Sequence, residues 1–192
     1  MKIKVCGMRD AENIRQLLEL SPDYIGFIFY PKSKRFVEEI GEDVRCAVGS
    51  TKKTGVFVDA STTEIKEKIE FFGLDAVQLH GNESAAICEE LKQESVEVIK
   101  AFGVDKFFDF DVLNSYSTSV DYFLFDTKTD LHGGSGKVFD WDILKNYSLD
   151  VPYFLSGGLD EENLREVKQM TDERLYAVDL NSKFETAPGL KD

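Results

Sequence analysis

At 192 residues the chain is the size of one ordinary domain, and its 42% hydrophobic content, with 15 Phe, suffices for one sizeable core. A formal net charge of −13 argues against a general affinity for nucleic acid or anionic membrane, because a phosphate backbone needs a basic face. An anionic small molecule must therefore be held by local donors. No stretch approaches the length of a transmembrane helix, and residues 1–6 lack the apolar core and cleavage site of a signal peptide, so a cytoplasmic address is expected. The three cysteines, Cys6, Cys46 and Cys88, form no C-x-x-C pair, and their odd number fits reduced thiols. With only His80 and His132, and no H-E-x-x-H, the pattern supports no dedicated zinc or iron site.

In chain order, a short strand over residues 2–6 leads through Gly7-Met8-Arg9 to Asp10, an N-cap for a helix with Ile14, Leu17 and Leu18 on its apolar face. A second strand, 24–29, precedes Pro31-Lys32-Ser33-Lys34-Arg35 and a helix expected to carry Val37, Ile40, Val44, Ala47 and Val48, with Gly41 inside it. Strand 55–58 is followed by the capping box Ser61-Thr62-Thr63-Glu64 and a helix facing inward through Ile65, Ile69 and Phe72. Strand 76–79 ends at His80-Gly81, and Asn82 is read as the cap of a helix using Ile87, Cys88 and Leu91. Strand 96–101 precedes a weakly patterned helix over 105–113. The sixth strand, Tyr122-Phe123-Leu124-Phe125, stops at Asp126, and a polar loop then enters Gly133-Gly134-Ser135-Gly136-Lys137 and a short helix around Trp141. Strand 152–155 runs through Ser156-Gly157-Gly158 into a helix capped by Asp160, with Leu164 and Val167 inward. The eighth strand, 176–180, is followed by Asn181-Ser182-Lys183.

Eight near-continuous apolar strands alternating with helices indicate a parallel sheet covered on its outer face, and eight is the number that closes a (β/α)₈ barrel. A doubly wound open sheet is the competitor, but no G-x-G-x-x-G follows the first strand and eight units would make an unusually wide sheet. No linker or charge block divides residues 1–192, so a single domain is expected. In such a barrel the site lies where strands end, which selects Cys6, Arg35, His80, Asp126, Gly133 to Gly136, Gly157-Gly158 and Asp179 to Ser182.

Each candidate also has a plainer reading. Cys6 is either a small buried hydrophobe or, with its pKa lowered by Arg9 or a helix N-terminus, a base or nucleophile. Asp126 is either a solvated loop carboxylate or an acid whose burial beside Phe125 keeps a proton on it, and Asp179 carries the same ambiguity. Arg35 sits in a basic cluster with Lys32 and Lys34; such clusters are usually solvated, but Arg is suited to a carboxylate through two parallel hydrogen bonds. His80 reads as a hydrogen-bonded mouth residue, His132 as loop surface. The glycine loops after the sixth and seventh strands, with Ser182 after the eighth, together suggest a phosphate-bearing ligand.

These blocks are similar to the phosphoribosylanthranilate isomerase family of tryptophan biosynthesis. Lys4-Val5-Cys6-Gly7-Met8 resembles its opening K-[IV]-C-G motif, and residues 26–35 resemble its G-F-x-F-x-x-x-S-x-R segment. Gly55-Val56-Phe57-Val58, Val77-Gln78-Leu79-His80-Gly81, Phe125-Asp126-Thr127, Gly133-Gly134-Ser135-Gly136 and Leu155-Ser156-Gly157-Gly158-Leu159 follow in the family's order. The resemblance implies a (β/α)₈ barrel that performs an Amadori rearrangement of a phosphosugar without metal or cofactor, as a monomer or homodimer. It places Cys6 at the family's general base, Asp126 at its general acid and Arg35 where the substrate carboxylate is held. His80, Gly133, Gly134, Ser135, Gly157, Gly158, Asp179 and Ser182 are the expected substrate-binding set.

The chain departs from the family in two places. Where the family commonly reads D-V-S-S-G-V-E after the eighth strand, this chain has Asp179-Leu180-Asn181-Ser182-Lys183-Phe184-Glu185, so lysine replaces a glycine beside the phosphate loop. The chain also ends at Asp192, so the final helix is expected to be missing or trimmed, leaving apolar flank uncovered between the first and seventh helices. The rivals are another aminoaldose isomerase of the same architecture, which uses two aspartates where this chain has Cys6 and Asp126, and a phosphate-binding barrel without turnover.

Overall fold

The computed structural model describes residues 1–42, 49–128 and 139–192. Its strands, β1 (Lys2–Cys6), β2 (Tyr24–Ile28), β3 (Lys52–Phe57), β4 (Ala76–Leu79), β5 (Glu97–Val104), β6 (Tyr122–Thr127), β7 (Tyr153–Leu155) and β8 (Leu175–Leu180), close in sequence order into one parallel barrel. The seam joins β1 to β8, with Lys4 opposite Asp179. Helices lying wholly among the described residues are α1 (Ala11–Glu19), α2 (Thr62–Phe72), α3 (Ala85–Lys92) and α4 (Asn163–Val167). Among the described residues no helix is long and apolar enough to cross a membrane.

Local signals explain most of these elements. Asp10 accepts the Asn13 N–H at 2.8 Å, Ser61 accepts the Glu64 N–H at 3.2 Å, and Gly73 ends α2 in the left-handed region at φ 58°. Asp160 accepts the N–H groups of Glu162 and Asn163 at the start of α4. Val37 and Ile40 are buried, but residues 37–41 are not helical: Phe36 bridges to Ile28 and the Val37 N–H donates to Ile28 O, extending the chain alongside β2. Gly41 thus sits outside any helix, and Val44, Cys46, Ala47 and Val48 lie outside the described residues. Asn82 is not the cap of α3, which starts only after Ser84; its N–H donates to Asp59 at 2.6 Å, while Lys100 draws Glu83 into the interior at 3.1 Å.

Two expected helices are 3₁₀ segments, Phe110–Tyr116 and Trp141–Asn146. Asp109 and Asp140 each accept the N–H two residues on, a local bond that competes with an α-helical start. Outside β5 and β6, Phe102, Phe108, Phe110, Phe123, Phe125, Tyr147 and Tyr153 pack ring to ring, each fully buried ring contributing roughly 1.5–3 kcal/mol. After β8 a 3₁₀ turn, Ser182–Phe184, leads into an antiparallel hairpin of β9 (Glu185–Ala187) and β10 (Leu190–Lys191). Leu17, Leu18 and Leu164 on the outer helices are partly buried.

Inside the barrel, Tyr24, Ala76, Ile99, Ala101, Leu124, Phe154 and Ala177 form a separate apolar cluster. Because side chains alternate along a strand, the residue two further on in each case points to the same interior, one layer nearer the mouth. That step takes Leu124 to Asp126, Phe154 to Ser156, Ala177 to Asp179 and Ala76 to Gln78. Lys4 and Cys6 are related in the same way on β1.

Candidate active site

The layer above that plug lines one pocket at the C-terminal ends of the strands. Cys6, Arg35, His80, Asp126, Gly157, Gly158, Asp179 and Ser182 all contribute to its wall. Gly133, Gly134, Ser135, Gly136 and His132 lie outside the described residues. Cys6 on β1 and Asp126 on β6 are three strands apart around the eight-strand ring, so they face the pocket from nearly opposite sides.

Cys6 is 3% exposed, and its sulfur lies over Gly26 of the neighbouring strand, where a Cβ would come within 2.8 Å of Sγ. Arg9 does not act on it; Arg9 donates to the Lys34 carbonyl at 3.1 Å. The nearby charge is Lys4, fully buried and donating to Asp179 at 2.9 Å. Burial pushes the Cys6 thiol above its ordinary value, and Lys4, with Lys191, pulls the other way without cancelling it. The expected lowering toward neutrality is therefore replaced by a raised pKa, because desolvation outweighs the neighbouring cations. Burial also opposes the charge on Lys4, but the fields of Asp179 and Cys6 hold its pKa above that of an ordinary lysine.

Asp126 is 6% exposed and accepts the Thr127 N–H at 2.8 Å. His80 Nε2 stands 3.5 Å from its other oxygen. Gln78, which the sequence reading did not select, pairs its side-chain amide with His80 Nδ1 at 2.7 Å and so fixes the ring with Nε2 toward Asp126. Gly157 completes this side with φ 92°; a Cβ there would overlap Thr127 and approach Asp126 Oδ1 to 2.8 Å. Gly157→Ala is accordingly expected to displace the Asp126 carboxylate and reduce any turnover at this pocket by about 10²-fold, with roughly 1–3 kcal/mol lost from stability. Steady-state kinetics beside a thermal melt checks both numbers.

Arg35 reaches the pocket, but its Nε and Nη2 already donate to Glu185 at 2.8 and 2.6 Å. The fork read as available to a substrate carboxylate is thus occupied from within, and the Nη1 side is what remains. Gly7, at φ 79°, makes room for this: a Cβ would sit 2.6 Å from Arg35 Cδ and 2.9 Å from Asn181 Oδ1. Lys183 is exposed and Asn181 and Ser182 line the pocket instead, so the substituted glycine position does not put lysine into the wall.

The family model for N-(5'phosphoribosyl)anthranilate (PRA) isomerase matches residues 3–192. The N-(5'-phosphoribosyl)anthranilate isomerase of Parabacteroides distasonis is 46% identical, covering all of this chain and 88% of that protein. The crystal structure of phosphoribosyl anthranilate isomerase from Thermotoga maritima superposes with a TM-score of 0.85 at 36% identity, over all of this chain and 93% of that one. A further solved phosphoribosyl anthranilate isomerase, in complex with reduced 1-(o-carboxyphenylamino)-1-deoxyribulose 5-phosphate, superposes with a TM-score of 0.81 at 32% identity, covering all of this chain and 92% of that one. The barrel, its mouth and these matches agree: the chain belongs to the N-(5'-phosphoribosyl)anthranilate isomerase family.

Proposed function

We propose that the protein converts N-(5-phosphoribosyl)anthranilate into 1-(2-carboxyphenylamino)-1-deoxyribulose 5-phosphate, with Asp126 as general acid and Cys6 as general base. The observation that carries this reading is the placement of one acid and one thiol on opposite sides of a single pocket. The rearrangement needs one of each. Asp126 gives a proton to the furanose ring oxygen, the C1–O bond breaks and the anthranilate nitrogen takes up the charge as an iminium. Cys6, as thiolate, removes the C2 proton, and the electron pair moves to form an enolamine. Tautomerisation then gives the ketone at C2, so C1 is reduced and C2 oxidised within one molecule.

Binding energy from the two ends of the substrate holds its sugar between these groups. Gly157 and Gly158, both at positive φ, and Ser182 form the phosphate end, where small residues let the anion approach main-chain N–H groups. Arg35 takes the anthranilate carboxylate. The acid–thiol pair favours this substrate over the aminoaldose isomerisation that uses two aspartates.

Mixing the protein with phosphoribosylanthranilate is expected to consume the substrate's fluorescence without added nucleotide or metal. Folded protein that leaves the signal unchanged would remove the enzyme reading and favour a binding barrel without turnover.

A further inference from the structure

Glu185, the first residue of β9, has a side chain only 4% exposed, yet it meets two cations. Arg35 donates to it from Nε and Nη2, Lys191 from Nζ at 2.7 Å, and the Gly189 N–H at 3.1 Å. Lys191 also donates to Asn181 Oδ1 at 2.8 Å. The hairpin's backbone is held just as firmly. Asn13 of α1 donates from Nδ2 to the Lys191 carbonyl at 2.9 Å and accepts the Lys191 N–H at 2.7 Å. At the turn, Gly189 has φ 84° and packs on the Arg9 side chain and the Gly7 carbonyl. The hairpin is thus fastened to the loop that follows Cys6, with its charges directed at the pocket wall.

One carboxylate against two cations leaves a net positive edge on the pocket of a strongly acidic chain. Glu185 occupies the Nε–Nη2 side of Arg35, and Nη1 has no partner among the described residues. We infer that Glu185 is a positioning residue for carboxylate recognition, fixing the Arg35 guanidinium so that it meets the substrate's carboxylate through its Nη1 side. The inference rests on the reading that Arg35 holds that carboxylate and deepens it.

Charge alone predicts the opposite sign. Deleting the negative charge of Glu185 would make the edge more positive and tighten the binding of an anion. Positioning predicts weaker binding, because an unheld arginine spreads over many rotamers and loses its fixed plane. The gain in charge is also self-limiting. Burial pushes Lys191 below the ordinary lysine range, against the pull of Glu185, and without that carboxylate it more readily gives up its proton.

Titration calorimetry with two stable probes separates these readings: reduced 1-(2-carboxyphenylamino)-1-deoxyribulose 5-phosphate, and the same compound lacking the carboxyl group. Glu185→Gln and Glu185→Ala are expected to weaken the first probe by about tenfold and the second by less than about twofold, as befits one charge-assisted contact. Arg35→Ala is expected to show the same selectivity at larger amplitude. If Arg35→Ala is selective but the Glu185 variants bind the carboxylate probe as well as or better than the parent, the positioning role is overturned while the Arg35 reading stands. If Arg35→Ala weakens neither probe, or both equally, the Arg35 reading itself fails. Equal weakening of both probes by the Glu185 variants would mark a general structural role and also overturn the inference. Glu185→Gln keeps the shape of the side chain, so the comparison survives if Glu185→Ala melts too low to assay.

Discussion

Cys6→Ser is expected to lower kcat by about 10³-fold while leaving KM within about threefold, and Asp126→Asn to do the same. Both replacements keep the size of the side chain. Serine holds its proton far more tightly than cysteine, and asparagine has no acidic proton to give. The ionisation of the thiol gives a second test of the base proposed at Cys6. Burial holds the Cys6 thiol above its ordinary value, so at neutral pH most of it is protonated and inactive. Raising the pH removes that proton and creates the thiolate, so the thiolate absorbance of the parent, taken as a difference from Cys6→Ser, is expected to grow only in alkaline solution for as long as the fold persists. A thiolate signal already complete near neutral pH would show that burial does not hold the Cys6 thiol up. Retained turnover in either variant would remove its assigned role.

The second large effect concerns stability. Lys4→Met leaves Asp179 ionised in the barrel interior without its 2.9 Å partner, at a cost of about 3–5 kcal/mol and a fall in Tm on the order of 10 °C. The double variant Lys4→Met with Asp179→Leu removes both charges and is expected to recover most of the loss. The penalty of the single variant is largest while Asp179 is ionised and shrinks as pH falls, because protonation removes the buried charge; burial already raises the pKa of this carboxyl. Melts of the three proteins across pH check the sign. A single variant that melts with the parent would mean that the pair contributes little. The same variant loses the strongest pull holding the Cys6 thiol down, so the appearance of the thiolate should move to higher pH.

Apolar runs of strand length, punctuated by Asp10, Ser61 and Asp160, made the eight-fold alternation readable, and the mouth rule then drew Cys6, His80 and Asp126 to one pocket. The inner face was harder to read. A strand buried on both sides has no polar alternation to reveal which residues face inward, so Lys4 and Gln78 stood only as members of their motifs and not as site residues, although each is a polar residue two positions before a mouth residue. Glu185 was hidden for a different reason: its partner Arg35 lies 150 residues away, and no local pattern joins them. The 3₁₀ segments escaped because the bonds that Asp109 and Asp140 accept from two residues on, which compete with an α-helical start, leave no mark in the apolar spacing.

The Lys4–Asp179 pair also governs how the ring can close. It joins the first strand to the eighth across 175 residues, the last contact that completes the barrel. If β8 slipped by one residue against β1, Asp179 would turn outward and leave the ammonium alone in an apolar interior. Lys4 therefore makes a slipped seam a closure around an unpaired charge.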